Sequence, residues 1–115
     1  MALLSNKVAV VTGGSSGNGR AIAMAFAQEG AKLVIADIRD TPREGGLATH
    51  EWIKQKTSAQ ALFVRCDVTK LSDLEAAIDA AETLGGVDVM VNNAGILSKQ
   101  SVLTASEAEF ELIMN

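Results

Sequence analysis

Apolar residues fall along the chain in two alternating rhythms. Val8-Ala9-Val10-Val11 is a short unbroken run rich in β-branched side chains, the pattern of a strand buried on both faces. Leu33-Val34-Ile35, Ala61-Leu62-Phe63-Val64 and Val87-Asp88-Val89-Met90-Val91 predict three more strands. Between them the spacing turns helical. Arg20 to Glu29 puts Ile22, Ala25 and Phe26 on one face, and Gly30 predicts a left-handed stop. Leu47 to Lys56 carries Leu47, His50 and Ile53 roughly on one side. Ser72 to Thr83 has the clearest pattern. Ser72 with Glu75 predicts a capping box, Leu71, Leu74, Ile78 and Ala81 an apolar stripe, and Gly85-Gly86 an end. A last helix is expected from near Thr104 or Ser106 and still running at Asn115, because Glu109 to Met114 meets no Gly or Pro to stop it. Strands alternating with helices of about ten residues argue for a parallel sheet with crossover helices. Arg39 to Gly46, with Pro42 and Gly45-Gly46, reads as an exposed loop.

Composition narrows the chemistry. At 115 residues and 48 % apolar, the chain is one domain at most. Ten Lys/Arg against fourteen Asp/Glu leave a net charge of −4, and aromatics are 3 %. Such a chain neither neutralises a phosphate backbone nor stacks bases, so nucleic acid is not an expected partner. The single Cys66 cannot form an internal disulfide and reads as a small buried hydrophobe. Lone His50 argues against a metal site. The start lacks a basic segment followed by an apolar leader, and no run approaches the ~20 apolar residues of a membrane span. The expectation is a cytoplasmic protein with no membrane association. Tyrosine is absent altogether.

The candidate chemistry sits at strand ends. Thr12-Gly13-Gly14-Ser15-Ser16-Gly17-Asn18-Gly19 joins the first strand to the first helix. Glycines let the backbone turn sharply and approach a ligand. The helix that follows opens with free N–H groups and a positive dipole end, which together hold a pyrophosphate. Gly14 to Gly19 also spells the start of a nucleotide-triphosphate loop, but Arg20-Ala21 stand where that loop needs Lys and Ser/Thr. Asp37, with Ile38 beside it, follows the second strand about twenty residues past the glycines. A carboxylate there accepts from the adenosine ribose hydroxyls and repels a 2′-phosphate, which favours NAD over NADP. Arg39 and Arg43 lie close by and keep NADP as the alternative.

With these residues the chain resembles the short-chain dehydrogenase/reductase family. Thr12-Gly13-x-x-x-Gly17-x-Gly19 is similar to that family's T-G-x-x-x-G-x-G, Asn92-Asn93-Ala94-Gly95 to its N-N-A-G, and Asp67-Val68 to its D-V pair. The resemblance covers essentially the whole chain but only the N-terminal half of the family's usual length. It implies an α/β, Rossmann-type, doubly wound parallel sheet of strand order 3-2-1-4, cut off after the fourth strand and the start of the next helix. Residues 1–115 would be the N-terminal part of a single dinucleotide-binding domain. It also implies roles. Ser15, Ser16 and Asn18 would line the pyrophosphate and nearby ribose, and Asp37 the adenine-side ribose. The Asp67 carboxylate and Val68 main chain would meet the adenine. Asn93, Ala94 and Gly95 would pass under the cofactor ribose, with Asn92 helping tie the sheet. Asn18 departs from the family's branched aliphatic, and its side chain is a candidate helix cap.

The family's proton chemistry uses a tyrosine with a lysine four residues later, a serine and a helical asparagine. With no tyrosine in the sequence, no residue here is assigned a catalytic role. The chain reads as the cofactor half of an oxidoreductase that moves a hydride between the nicotinamide and an alcohol or carbonyl substrate, inactive by itself. The whole protein is expected to be a homo-oligomer. The fourth strand's outer edge is expected to stand open and prone to pairing. The competing reading is a non-catalytic dinucleotide-binding or interaction module.

Overall fold

The structure, a computed structural model, describes residues 3–93 and the backbone of residues 111–114. Five parallel strands form one sheet, in the order β3-β2-β1-β4-β5. They are β1 (Val8–Thr12), β2 (Lys32–Asp37), β3 (Ala61–Arg65), β4 (Val89–Asn92) and β5 (Glu111–Met114). Three helices connect the first four: α1 (Gly17–Gln28), α2 (Thr49–Lys56) and α3 (Leu71–Glu82). The expected order 3-2-1-4 is present.

Alternation along the central strands sorts their side chains to two faces. Val8 and Val10 of β1, with Val34 and Met90, pack against Leu74, Ala77 and Ala81 of α3. Ala9 and Val11, with Leu33, Ile35 and Val91, pack against Ala23 and Ala27 of α1 and Ile53 of α2. Both faces of β1 are therefore covered, which is why its five residues are all buried and its apolar run unbroken. The chain runs from β1 outward through β2 to β3, then crosses to β4 on the other side of β1. That reversal places the switch point of the sheet at the carboxyl ends of β1 and β4.

Several local expectations change. Residues 111–114 are a strand, not the last helix: they pair in parallel with β4, Val89 to Glu111 through Asn92 to Met114. The rest of that expected helix lies outside the described residues. The β4 edge, expected to be open, is thereby covered. An uncovered row of backbone N–H and C=O groups is a strong template, and pairing satisfies it where a helix across that edge would not.

α3 starts at Leu71 without a side-chain cap, so the Ser72–Glu75 capping box does not form. A turn of Asp67, Val68 and Thr69 sets the start instead, with the Lys70 N–H donating to the Asp67 carbonyl at 2.9 Å. Ser72 falls inside the first helical turn. The inward face is Leu74, Ala77 and Ala81, while Leu71 is 54 % exposed. α1 begins three residues earlier than the periodicity suggests, and its inward face is Gly19, Ala23 and Ala27. Ile22 and Phe26 flank that face, and Ala25 is exposed. Small residues at that i, i+4, i+8 spacing let the helix lie close against the strands.

Candidate functional site

The glycine turn leaves the carboxyl end of β1, the most buried strand of the sheet. Three hydrogen bonds fix it there. The Gly13 N–H donates to the Ala36 carbonyl of β2 at 2.8 Å. Thr12 Oγ1 donates to the Val91 carbonyl at 3.3 Å and accepts the Asn93 N–H at 2.9 Å, which ties the end of β4 to the same point. Gly13 (φ 65°) and Gly17 (φ 55°) take left-handed conformations that other residues avoid. At Gly19 a Cβ would collide with the Gly13 carbonyl oxygen and stand 2.6 Å from Asn93 Nδ2. The turn thus needs glycine at 19 for space and at 13 and 17 for backbone shape.

α1 opens from this turn with its donors exposed. Ser16 is the N-cap residue, but its side chain does not cap the helix; Ser16 Oγ accepts the Arg43 N–H at 2.8 Å. Asn18 is not the cap either, and it lies exposed on the first turn of α1. No acidic residue stands in that turn. The Gly17 N–H donates instead to Glu44 Oε2 at 3.1 Å, from the loop between β2 and α2. Behind the turn, buried Thr49 Oγ1 donates to the Gly14 carbonyl at 2.8 Å and accepts from Arg20 Nη1 at 3.0 Å, so α2 braces the turn from below.

Asp37 ends β2 and faces the turn. Its Oδ2 accepts the Ser15 N–H at 3.0 Å and its Oδ1 the Ile38 N–H at 2.7 Å. An ionised carboxylate has about four acceptor positions, so two remain for hydroxyl donors. The glycine turn and Asp37, separate in the sequence, meet in one cleft of about 700 Å³. Gly13, Ser16, Gly17 and Asn18 of the turn line it together with Asp37 and Ile38 after β2, Val68 after β3 and Asn93 after β4. Ser15 and Gly19 support the turn from inside rather than lining the cleft. Ala94 and Gly95 lie outside the described residues.

Asp67 is a further expected site residue that does not line the cleft. Its Oδ1 accepts from the Thr69 N–H at 3.0 Å and from Thr69 Oγ1 at 2.6 Å. These bonds, the hydroxyl's first, hold its carboxyl below the usual carboxylate range. The Asp67 N–H in turn donates to Asp73 Oδ2 at 2.9 Å. In this arrangement the Asp67 side chain shapes the bend that carries Val68 into the cleft.

Three lining residues carried no expectation of contact: Ala36 at the end of β2, Cys66 and Glu44. Cys66 is buried in the cleft, and burial, with Asp73, Asp67 and Asp37 adding, pushes its thiol up to about 11. It is a neutral, apolar piece of floor, in keeping with its reading as a buried hydrophobe, and its position just before Asp67-Val68 was the available signal. Glu44 had none: it sits in a patternless loop, 27 residues beyond the Gly17 N–H it meets. Arg39 and Arg43 also line the cleft, near Asp37. His50 stacks on Phe63 with ring centroids 5.7 Å apart, and burial lowers its pKa. No metal-binding cluster occurs among the described residues, and no helix among them is long and apolar enough to cross a membrane.

The residues fit a dinucleotide's diphosphate on grounds internal to the chain. A Cβ is excluded at Gly19, a helix N-terminus without its own acidic residue is aimed at the cleft, and an anion already occupies one of its N–H groups. Buried Ser15 Oγ has no hydrogen-bond partner among the described residues.

Comparison with known proteins agrees. The family model described as short chain dehydrogenase matches residues 7–115. The chain is 42 % identical to sex determination protein tasselseed-2 of Zea mays, across 96 % of this chain and 33 % of that protein. It is 40 % identical to L-2,3-butanediol dehydrogenase of Corynebacterium glutamicum, across 94 % and 42 %. Among solved structures it is similar to a hydroxysteroid dehydrogenase from Escherichia coli, with TM-score 0.69 and 40 % identity over 80 % of this chain and 37 % of that one. The chain thus spans between a third and somewhat under half of the length of the curated relatives it matches.

Proposed function

The chain belongs to the short chain dehydrogenase family, whose members bind nicotinamide cofactors, and on that premise we propose that its cleft binds NAD in preference to NADP. The observation that carries the reading is the meeting of Asp37 with the glycine turn through the Ser15 N–H. One ligand long enough to lie on the helix N-terminus and reach this carboxylate is a dinucleotide. Gly17 and Asn18 present N–H groups to the diphosphate, and Asp37 accepts from the adenosine ribose. Cys66, Val68 and Ile38 supply an apolar bed for the adenine. Asn93 would meet the ribose on the nicotinamide side, where the family resemblance also expects Ala94 and Gly95. The nicotinamide, when bound, takes or gives the hydride.

The whole protein is proposed to be an oxidoreductase acting on a small alcohol or carbonyl, as the dehydrogenase names among its relatives suggest, and to work as a homo-oligomer in the cytoplasm. These 115 residues contain no tyrosine, so the proton-handling tyrosine of the family resemblance is not among them. The chain by itself is expected to bind cofactor without turning it over. Arg39 and Arg43 favour a second reading in one respect: both line the cleft and would pair with a 2′-phosphate. Calorimetric titration with NAD and NADP tests the choice. Binding is expected to favour NAD, and Asp37→Ala to narrow that preference. A preference for NADP, or an unchanged ratio in the variant, would count against the ribose contact.

A further inference from the structure

The helix N-terminus on which the diphosphate reading rests is not bare. Glu44 Oε2 accepts the Gly17 N–H at 3.1 Å, and one residue earlier the Arg43 N–H is held by Ser16 Oγ at 2.8 Å. The loop between β2 and α2 is therefore fastened across the start of α1 at two adjacent points. α1 supplies neither a side-chain cap nor an acidic residue to its own first turn, so this carboxylate is the negative charge its dipole meets. Hydrogen bonds from the backbone N–H of Glu44 itself and then of Gly17, with Arg20 and Arg43 nearby, hold its carboxyl below the ordinary range. At neutral pH it is an anion on an anion site.

We propose that Glu44 is an intramolecular competitor for the cofactor's diphosphate, which occupies the Gly17 N–H until a diphosphate displaces it and so sets the affinity of the cleft. The proposal rests on the dinucleotide reading given above. Competition of this kind discriminates by charge. A ligand with a diphosphate must take the N–H from Glu44, whereas a nucleoside entering between Asp37 and Val68 leaves the contact in place. Glu44 is exposed and contributes to neither core cluster, so its replacement leaves the core packing intact.

Calorimetric titration of the chain and of Glu44→Ala with ADP, NAD and adenosine tests the proposal. Removing a carboxylate from an exposed helix N-terminus predicts about two- to fivefold tighter binding of ADP and NAD, with adenosine affinity unchanged. Equal or weaker ADP binding by the variant would overturn the proposal while leaving the dinucleotide reading standing. An equal gain for adenosine would also overturn it, by placing the effect of Glu44 away from the diphosphate. If both proteins are folded by circular dichroism and neither binds ADP, NAD or adenosine, the dinucleotide reading itself falls, and the proposal with it. The ligand-free chain provides an independent check. Amide exchange at Gly17 should quicken in Glu44→Ala, and an unchanged rate would show that the carboxylate does not hold that N–H.

Discussion

Gly19 shows how much of the site depends on one missing carbon. Its Cα lies between the Gly13 carbonyl and the Asn93 side chain, so α1, the turn and the end of β4 converge on a point with no room for a methyl group. The Gly13 carbonyl is the partner that cannot yield, because it is backbone and the Gly13 N–H is bonded to Ala36; Asn93 meets the site with its side-chain amide. Gly19→Ala is therefore expected to cost about 1–3 kcal/mol by overpacking, and to weaken NAD binding by about tenfold or more, about 1.4 kcal/mol. Urea unfolding and calorimetry measure the two losses, and a variant of native stability and affinity would contradict the packing described. The motif spacing made this glycine visible in the sequence. The reason for it is first a clash with the Gly13 carbonyl inside the turn itself, and then with the Asn93 side chain, at a strand end more than seventy residues away. Asp37 was legible in the same way, since a carboxylate after the second strand has a standard place. Glu44 was not, because its role depends on where a loop without periodicity comes to rest.

At the scale of elements, stops were easier to read than starts. Gly30 ends α1 as expected, at φ 95°. Its N–H donates to Ala27 at 3.0 Å and the Ala31 N–H to Phe26 at 3.1 Å, the paired bonds that satisfy a helix's last carbonyls. Such a stop is local: it needs one residue able to take a left-handed conformation. Gly30→Ala should cost about 1–2 kcal/mol from that conformation alone. The measurement is the unfolding midpoint, and a loss below a few tenths of a kcal/mol would mean the C-terminus of α1 relaxes without it. The start of α3 draws instead on a network of several side chains and backbone groups within six residues. The Ser72–Glu75 pair had the composition of a capping box, yet the Asp67 carboxylate with Thr69, and Asp73 with the Asp67 N–H, set the start of α3 nearer the strand. The strand at Glu111–Met114 is the stronger case. Its residues satisfy a helical period, and the unpaired backbone of β4 selects the extended form.

For the molecule as a whole, the sheet and the cleft depend on the same buried layer. Ile35 is fully buried, pairs with Val11 of β1 and Phe63 of β3, and lies under Gly14, where an added Cβ would stand 3.0 Å from its Cγ2. Ile35→Ala should lower stability by about 2–5 kcal/mol. Its urea midpoint is expected to fall with little change in slope, and a loss under about 1 kcal/mol would mean the layer beneath the turn is not continuous. The local patterns were sufficient to specify the parallel α/β class, because a strand buried on both faces and a glycine turn leading into a helix each leave a signature within a few consecutive residues. They also placed the glycine turn and Asp37 at the carboxyl ends of the strands, since strand, turn and helix impose that geometry wherever they follow one another. Tertiary structure decided what depends on pairing across the sheet. It determined which element covers β4 and which carboxylate rests on the N-terminus of α1. Those choices are made by unsatisfied backbone groups seeking partners across tens of residues, and no short window of sequence contains both members of such a pair.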